Sequence, residues 1–155
     1  MAAPAEEVFA FVDDHSKLSS HMSRRSWMMG GGAMSIETDA MGGRAVGSKI
    51  RLSGSVLGVL LSVEEVVIER LPPHRKMWRT CGEPKLLVIG AYQMGVDVEP
   101  RGKESLLRVF IDYAYPTRGI WRLLGSLFAV SYAKWCTGRM AHDAAEHFRT
   151  KGEGT

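Results

Sequence analysis

Helical spacing of apolar residues is confined to the two ends of the chain, and the stretch between them alternates apolar and polar positions with a period of two. Near the start, Pro4 suits a first helical turn, Glu6 and Glu7 complement the positive end of a helix dipole, and Val8, Phe9, Phe11 and Val12 form one apolar face. A short helix is predicted from Pro4 to Asp13, with a further helical turn around Ser16 to His21. The Met and Gly cluster from Met28 to Met34 breaks the pattern, and Met34 to Asp39 reads as a strand. After a turn at Gly42, Gly43 and Gly47, strands are predicted over Lys49 to Leu52 and Val56 to Glu69. In the second of these Val59, Leu61 and Val63 share one face while Val66 and Ile68 fall on the other. A phase change at Glu64 and Glu65 implies a β-bulge there that bends the strand.

Leu71, Pro72 and Pro73 end that strand, and His74 to Thr80 returns beside it with Trp78 at its centre. Leu87 to Asp97 and Ser105 to Tyr115 form a hairpin across the Glu99, Pro100, Arg101, Gly102 turn. In its second arm Val109, Ile111, Tyr113 and Tyr115 are placed inward and Arg108 and Asp112 outward. Pro116 stops the strand, and Arg118 to Arg149 has helical composition throughout, about 48 Å at 1.5 Å per residue. Gly125 and Gly138 weaken this helix, so each marks a close approach or a bend. A helix, consecutive strands and one long helix define an α+β domain: a curved antiparallel sheet around a C-terminal helix.

A chain of 155 residues with 45% hydrophobic content buries one core, so residues 1–150 read as one domain and 151–155 as a disordered tail. The net charge of +3 is too balanced for a nucleic-acid partner. Met1 to Glu7 lacks the basic and apolar order of a secretory signal, and Cys81 and Cys136 lack a paired spacing. Both point to a cytoplasmic protein with reduced thiols. The longest apolar run, Ile120 to Ala133, is interrupted by Arg122 and falls short of the ~20 residues that span a bilayer.

Several motifs carry a resemblance to a known family. Ala3 to Asp14 (Ala-Pro-Ala-Glu-Glu-Val-Phe-Ala-Phe-Val-Asp-Asp) resembles the opening helix of the START-like (SRPBCC) superfamily, which includes polyketide cyclases/dehydrases and lipid-transfer domains. Gly42 to Ser48, Glu69 to Pro73 and Val98 to Ser105 resemble its structural punctuation. The resemblance implies a helix-grip fold whose first strand precedes the Ala-Pro pair; here only Met1 and Ala2 do. The sheet therefore has six strands and an exposed edge, or seven if a strand lies upstream.

The resemblance further implies a cavity between sheet and C-terminal helix for a lipid, isoprenoid or polyketide-like molecule, held by a carrier or sensor. Its walls are expected from Trp78, Tyr92, Met94, Tyr113, Tyr115, Leu124, Phe128 and Trp135, which also satisfy an ordinary core. A cyclase/dehydrase acting in the same cavity needs an acid/base pair, drawn from Arg51, His74, Tyr92, Arg108, Asp112 and Tyr113. Of these Arg108, Asp112 and Tyr113 are the catalytic candidates, Arg108 and Asp112 only if they turn inward. No cofactor is implied. His142, Asp143, Glu146 and His147 read as a solvated helix end rather than a metal site, and His15 and His21 as loop residues. Gly30, Gly31 and Gly32 with Met28, Met29 and Met34 form a flexible apolar lip, a gate or a plain loop. Arg118, Arg122, Lys134 and Arg139, interleaved with Trp121, Phe128, Tyr132 and Trp135, offer a transient contact with anionic membrane. Trp121, Leu123 and Val130 are left over for a homodimer.

Overall fold

The computed structural model describes residues 1–20, 33–56, 58–116 and 119–152. Helix α1 (Ala5–Asp13) and the single turn α2 (His15–Leu18) precede six strands. These are β1 (Ala33–Thr38), β2 (Lys49–Val56), β3 (Val59–Leu71), β4 (Arg75–Lys85), β5 (Tyr92–Arg101) and β6 (Glu104–Tyr113), and helix α3 (Gly119–Gly152) closes the chain. Each strand pairs antiparallel with its sequence neighbour, giving the order β1-β2-β3-β4-β5-β6. The long helix continues to Gly152, two residues into the expected tail.

Alternation along β3 is unbroken where a phase change is expected. Leu61, Val63, Glu65 and Val67 all point inward and are buried. The irregularities lie on either side of Glu64 to Val67 instead: register against β4 shifts between Ser62 and Glu64 and again between Val67 and Glu69. Glu65 places a carboxylate in an inward slot usually apolar, and the Glu64 and Glu65 pair, where a bulge is expected, stays in regular register with β4.

A second difference concerns Leu87 to Ala91. This stretch is not part of β5, which begins at Tyr92. Its backbone crosses toward the end of β6, where the Gly90 N–H donates to the Ala114 carbonyl at 2.7 Å and the Ala114 N–H to that of Ala91 at 2.8 Å. The segment forms a strap that faces α3 with apolar side chains.

Two buried apolar groups fill the fold. One joins α1, β5 and the C-terminal half of α3 around Trp78, Met94, Val96, Met140 and Phe148; the other lies on β1 to β3 around Met34, Ile50, Leu52 and Val63. Among the described residues, the partly buried Tyr92 and Trp135 are the ones that pack against both. At the far edge, the Met1 amino group donates to the Ser105 carbonyl at 2.7 Å, and the Ser105 N–H returns to Met1 at 3.1 Å. The first residues thus lie against the start of β6.

Candidate functional site

Three consecutive residues at the junction of α1 and α2 set the inner end of the site. Asp13 ends α1 and receives three hydrogen-bond contacts from Arg70 (2.8–3.2 Å), while the buried Lys76 ammonium donates to its backbone carbonyl at 2.7 Å. Asp14 caps the next turn and meets Arg44 at 3.1 Å. With both neighbours held, His15 turns under the sheet, where it is buried and its Nε2 lies 3.0 Å from Glu65 Oε2. Trp78 stands edge-on to the imidazole, with ring centres 5.0 Å apart.

Glu65 is carried inward by β3 between Ile50 of β2 and Thr80 of β4. Its Oε1 accepts a hydrogen bond from the Tyr92 hydroxyl. Burial, and the adjacent Glu65 carboxylate, raise the Tyr92 pKa well above its ordinary value, so Tyr92 remains a neutral donor. Burial, with a smaller push from Glu65, raises Cys136 to about 12, so its thiol stays protonated. Tyr132 is likewise pushed up by burial. The arrangement leaves polar capacity unused: Glu65 Oε2, His15 Nδ1 and Trp78 Nε1 are buried without a hydrogen-bond partner, Oε2 despite its proximity to His15.

A cleft of about 270 Å³ opens from this end toward the surface. Met34, Val56 and Leu61 form its sheet wall, Leu86 with Leu87, Val88 and Ile89 of the strap a second wall, and Phe128, Ser131 and Tyr132 of α3 the third. Leu86, Ile89 and Tyr132 also line a smaller void of about 20 Å³ that Glu65, His15 and Tyr92 enclose. The two spaces therefore adjoin. Gly125 permits the helix to sit this close: a Cβ there would lie 2.9 Å from the Val88 carbonyl and 2.6 Å from Pro116 Cδ.

The expected wall residues separate into groups. Trp78, Tyr92 and Met94 line the small void, Phe128 lines the cleft although half-exposed, and Trp135 packs between the two apolar groups. Tyr115 does not face the interior. It is half-exposed, stacks edge-on against Tyr113 with centres 5.9 Å apart, and lines a groove on the other side of the strap, because β6 ends at Tyr113 and alternation no longer orients it. The side chain of Leu124 lies outside the described residues, as do those of Trp121 and Leu123. His21, Met28, Met29 and Gly30 to Gly32 lie outside them too; Met34, the described member of that lip, is buried in the cleft wall.

Arg108 and Asp112 are exposed on the outer face of β6, as strand parity places them, and Tyr113 is only partly covered. Arg51 pairs outside with Glu64 at 3.2 Å, and His74 is exposed. Of the six acid/base candidates, only Tyr92 reaches the interior group. Its two partners there, His15 and Glu65, are not apparent from the sequence; an inward parity for Glu65 on β3 is the available signal. His142 lies 3.8 Å from Glu146 on an exposed helix face.

No protein-family model and no curated protein matches the chain. Solved structures share its architecture. TTHA0849 from Thermus thermophilus is 14% identical, with a TM-score of 0.70 over 97% of this chain and 93% of that one. SA2116 from Staphylococcus aureus is 13% identical, with a TM-score of 0.60 over 98% and 90%. Norcoclaurine synthase from Thalictrum flavum, solved in complex with dopamine and hydroxybenzaldehyde, is 15% identical, with a TM-score of 0.58 over 94% and 80%. At such identities the likeness is one of fold. The six-stranded antiparallel sheet around a long C-terminal helix is the helix-grip α+β fold that the sequence motifs resemble.

Proposed function

We propose that this chain binds a hydrophobic small molecule in the cleft between the sheet, the strap and α3, as a carrier or sensor. The observation that carries the reading is a largely apolar cleft of about 270 Å³ that ends beside a buried carboxylate, imidazole and phenol. Apolar walls supply affinity without direction, and a few convergent polar groups at one end orient the ligand. That the similarly folded norcoclaurine synthase was solved with two aromatic small molecules agrees with a ligand of this kind. Cys81 and Cys136, neither of them in a disulfide, fit a reducing compartment such as the cytoplasm.

The test is titration with N-phenyl-1-naphthylamine, a neutral fluorophore that brightens in apolar surroundings. Wild-type protein should bind it saturably. Ser131→Trp, at an exposed position on the cleft rim, should weaken binding by about ten-fold or more without changing the circular dichroism spectrum, since it fills the space the probe takes. Unsaturable fluorescence, or equal affinity in the folded variant, would remove the cleft as the site.

A further inference from the structure

The void beside Glu65 restricts the polar end of any ligand more tightly than the cleft restricts its body. About 20 Å³ holds roughly one water-sized group. Its walls mix roles: Glu65 Oε2 can only accept while ionised, and Trp78 Nε1 can only donate. His15 Nδ1 accepts or donates according to which ring nitrogen carries the proton. The other polar side chains lining the void are Ser19, Tyr92, Tyr132 and Cys136; the serine hydroxyl carries no charge, and burial keeps both phenols and the thiol neutral.

We infer that the cavity selects ligands ending in a neutral hydroxyl, a phenol or alcohol, with Glu65 as the specificity-determining residue that accepts its proton in a hydrogen bond. The inference rests on the binding reading above. A hydroxyl is one heavy atom that both donates and accepts, so it satisfies Glu65 and an N–H together. A carboxylate brings two oxygens and a negative charge against Glu65, and it cannot donate. An ether matches the hydroxyl in bulk and polarity but has no proton to offer.

The experiment is displacement of N-phenyl-1-naphthylamine by 2-naphthol, 2-methoxynaphthalene and 2-naphthoate at neutral pH. An apolar cleft disfavours a carboxylate even without Glu65, so the ether and a charge-removing variant are the discriminating arms. On wild-type protein 2-naphthol should bind at least ten-fold more tightly than either relative, in line with the cost of leaving a buried acceptor unpaired. In Glu65→Gln, checked for folding by circular dichroism, the preference over 2-naphthoate should narrow about five-fold or more.

Equal affinity for 2-naphthol and its methyl ether overturns the inference on wild-type protein alone, whether or not the variant folds. An unchanged naphthol-to-naphthoate ratio in folded Glu65→Gln also overturns it. Both results leave the binding reading standing. If none of the three displaces a saturably bound probe, the inference falls while the cleft survives; if the probe itself does not bind, the binding reading falls and the inference with it.

Discussion

Asp13 holds α1 to the sheet through two cations, one of them with no access to solvent. Burial opposes ionisation of Asp13, but the hydrogen bonds and charges of Arg70 and Lys76 outweigh it and hold its carboxyl below the usual carboxylate range. Burial also makes the Lys76 ammonium easier to deprotonate, with Asp13 acting against that. Removing Asp13 strands a buried charge, so Asp13→Ala should destabilise the fold by about 3 kcal/mol, measured by urea unfolding. The pH dependence follows from the sign of the shift. A carboxyl with a lowered folded pKa contributes stability that is complete above its unfolded value of 3.8 and is lost as pH falls through the folded value. Asp13→Asn should therefore flatten the acid limb of the stability curve below that point; an unchanged limb would contradict the role given to Asp13. Asp14 and His15 follow directly, so the same anchor orients the imidazole. Little of this is legible in the chain. Asp13 reads only as the end of a helix, His15 as a loop residue and Glu65 as part of a phase break, because their partners are distant in sequence and alternation rules reserve inward slots for apolar residues.

The strap and α3 meet at a glycine. Gly125 is buried against the Val88 carbonyl and the Pro116 ring, neither of which yields as a flexible side chain would. Gly125→Ala should force the helix and strap apart, lowering the melting temperature by several degrees, an effect of order 1–2 kcal/mol. It should also change the affinity for N-phenyl-1-naphthylamine, because both displaced elements wall the cleft. Gly138→Ala has no neighbour within 4 Å of the added methyl and serves as the control: it should leave affinity unaltered and stability equal or higher. An equal effect of the two substitutions would show that the strap contact does not matter. Sequence reasoning marks both glycines as close approaches or bends, and the close approach is realised at Gly125. The strap itself reads in the sequence as the start of β5, since the predicted strand begins at Leu87. Its departure from the sheet is visible only in the hydrogen bonds that tie Gly90 and Ala91 to Ala114.

At the scale of the molecule, a sheet with every strand beside its sequence neighbour wraps one long helix, and its interior packs as two groups rather than one. The architecture is legible because it follows from element order: a leading helix, consecutive strands with turn signals, and a single long helix. The space between the two groups is not, because it depends on which side chains stop short of one another. Strand patterning places Trp78, Met94 and Tyr92 in the interior, whereas it misplaces Tyr115, where the strand ends earlier than its composition suggests. Among the described residues no helix is long and apolar enough to cross a membrane.

The central claim is that a ligand lies along the cleft with its polar end at Glu65, and methyl NMR of the isotopically labelled protein with saturating 2-naphthol tests it most directly. The methyl signals of Leu61, Leu87 and Ile89 should shift together, accompanied by the Tyr92 ring, while those of the exposed Leu71 and Leu106 stay in place. Saturation with the cleft methyls unmoved, or shifts confined to the exposed leucines, would contradict the account.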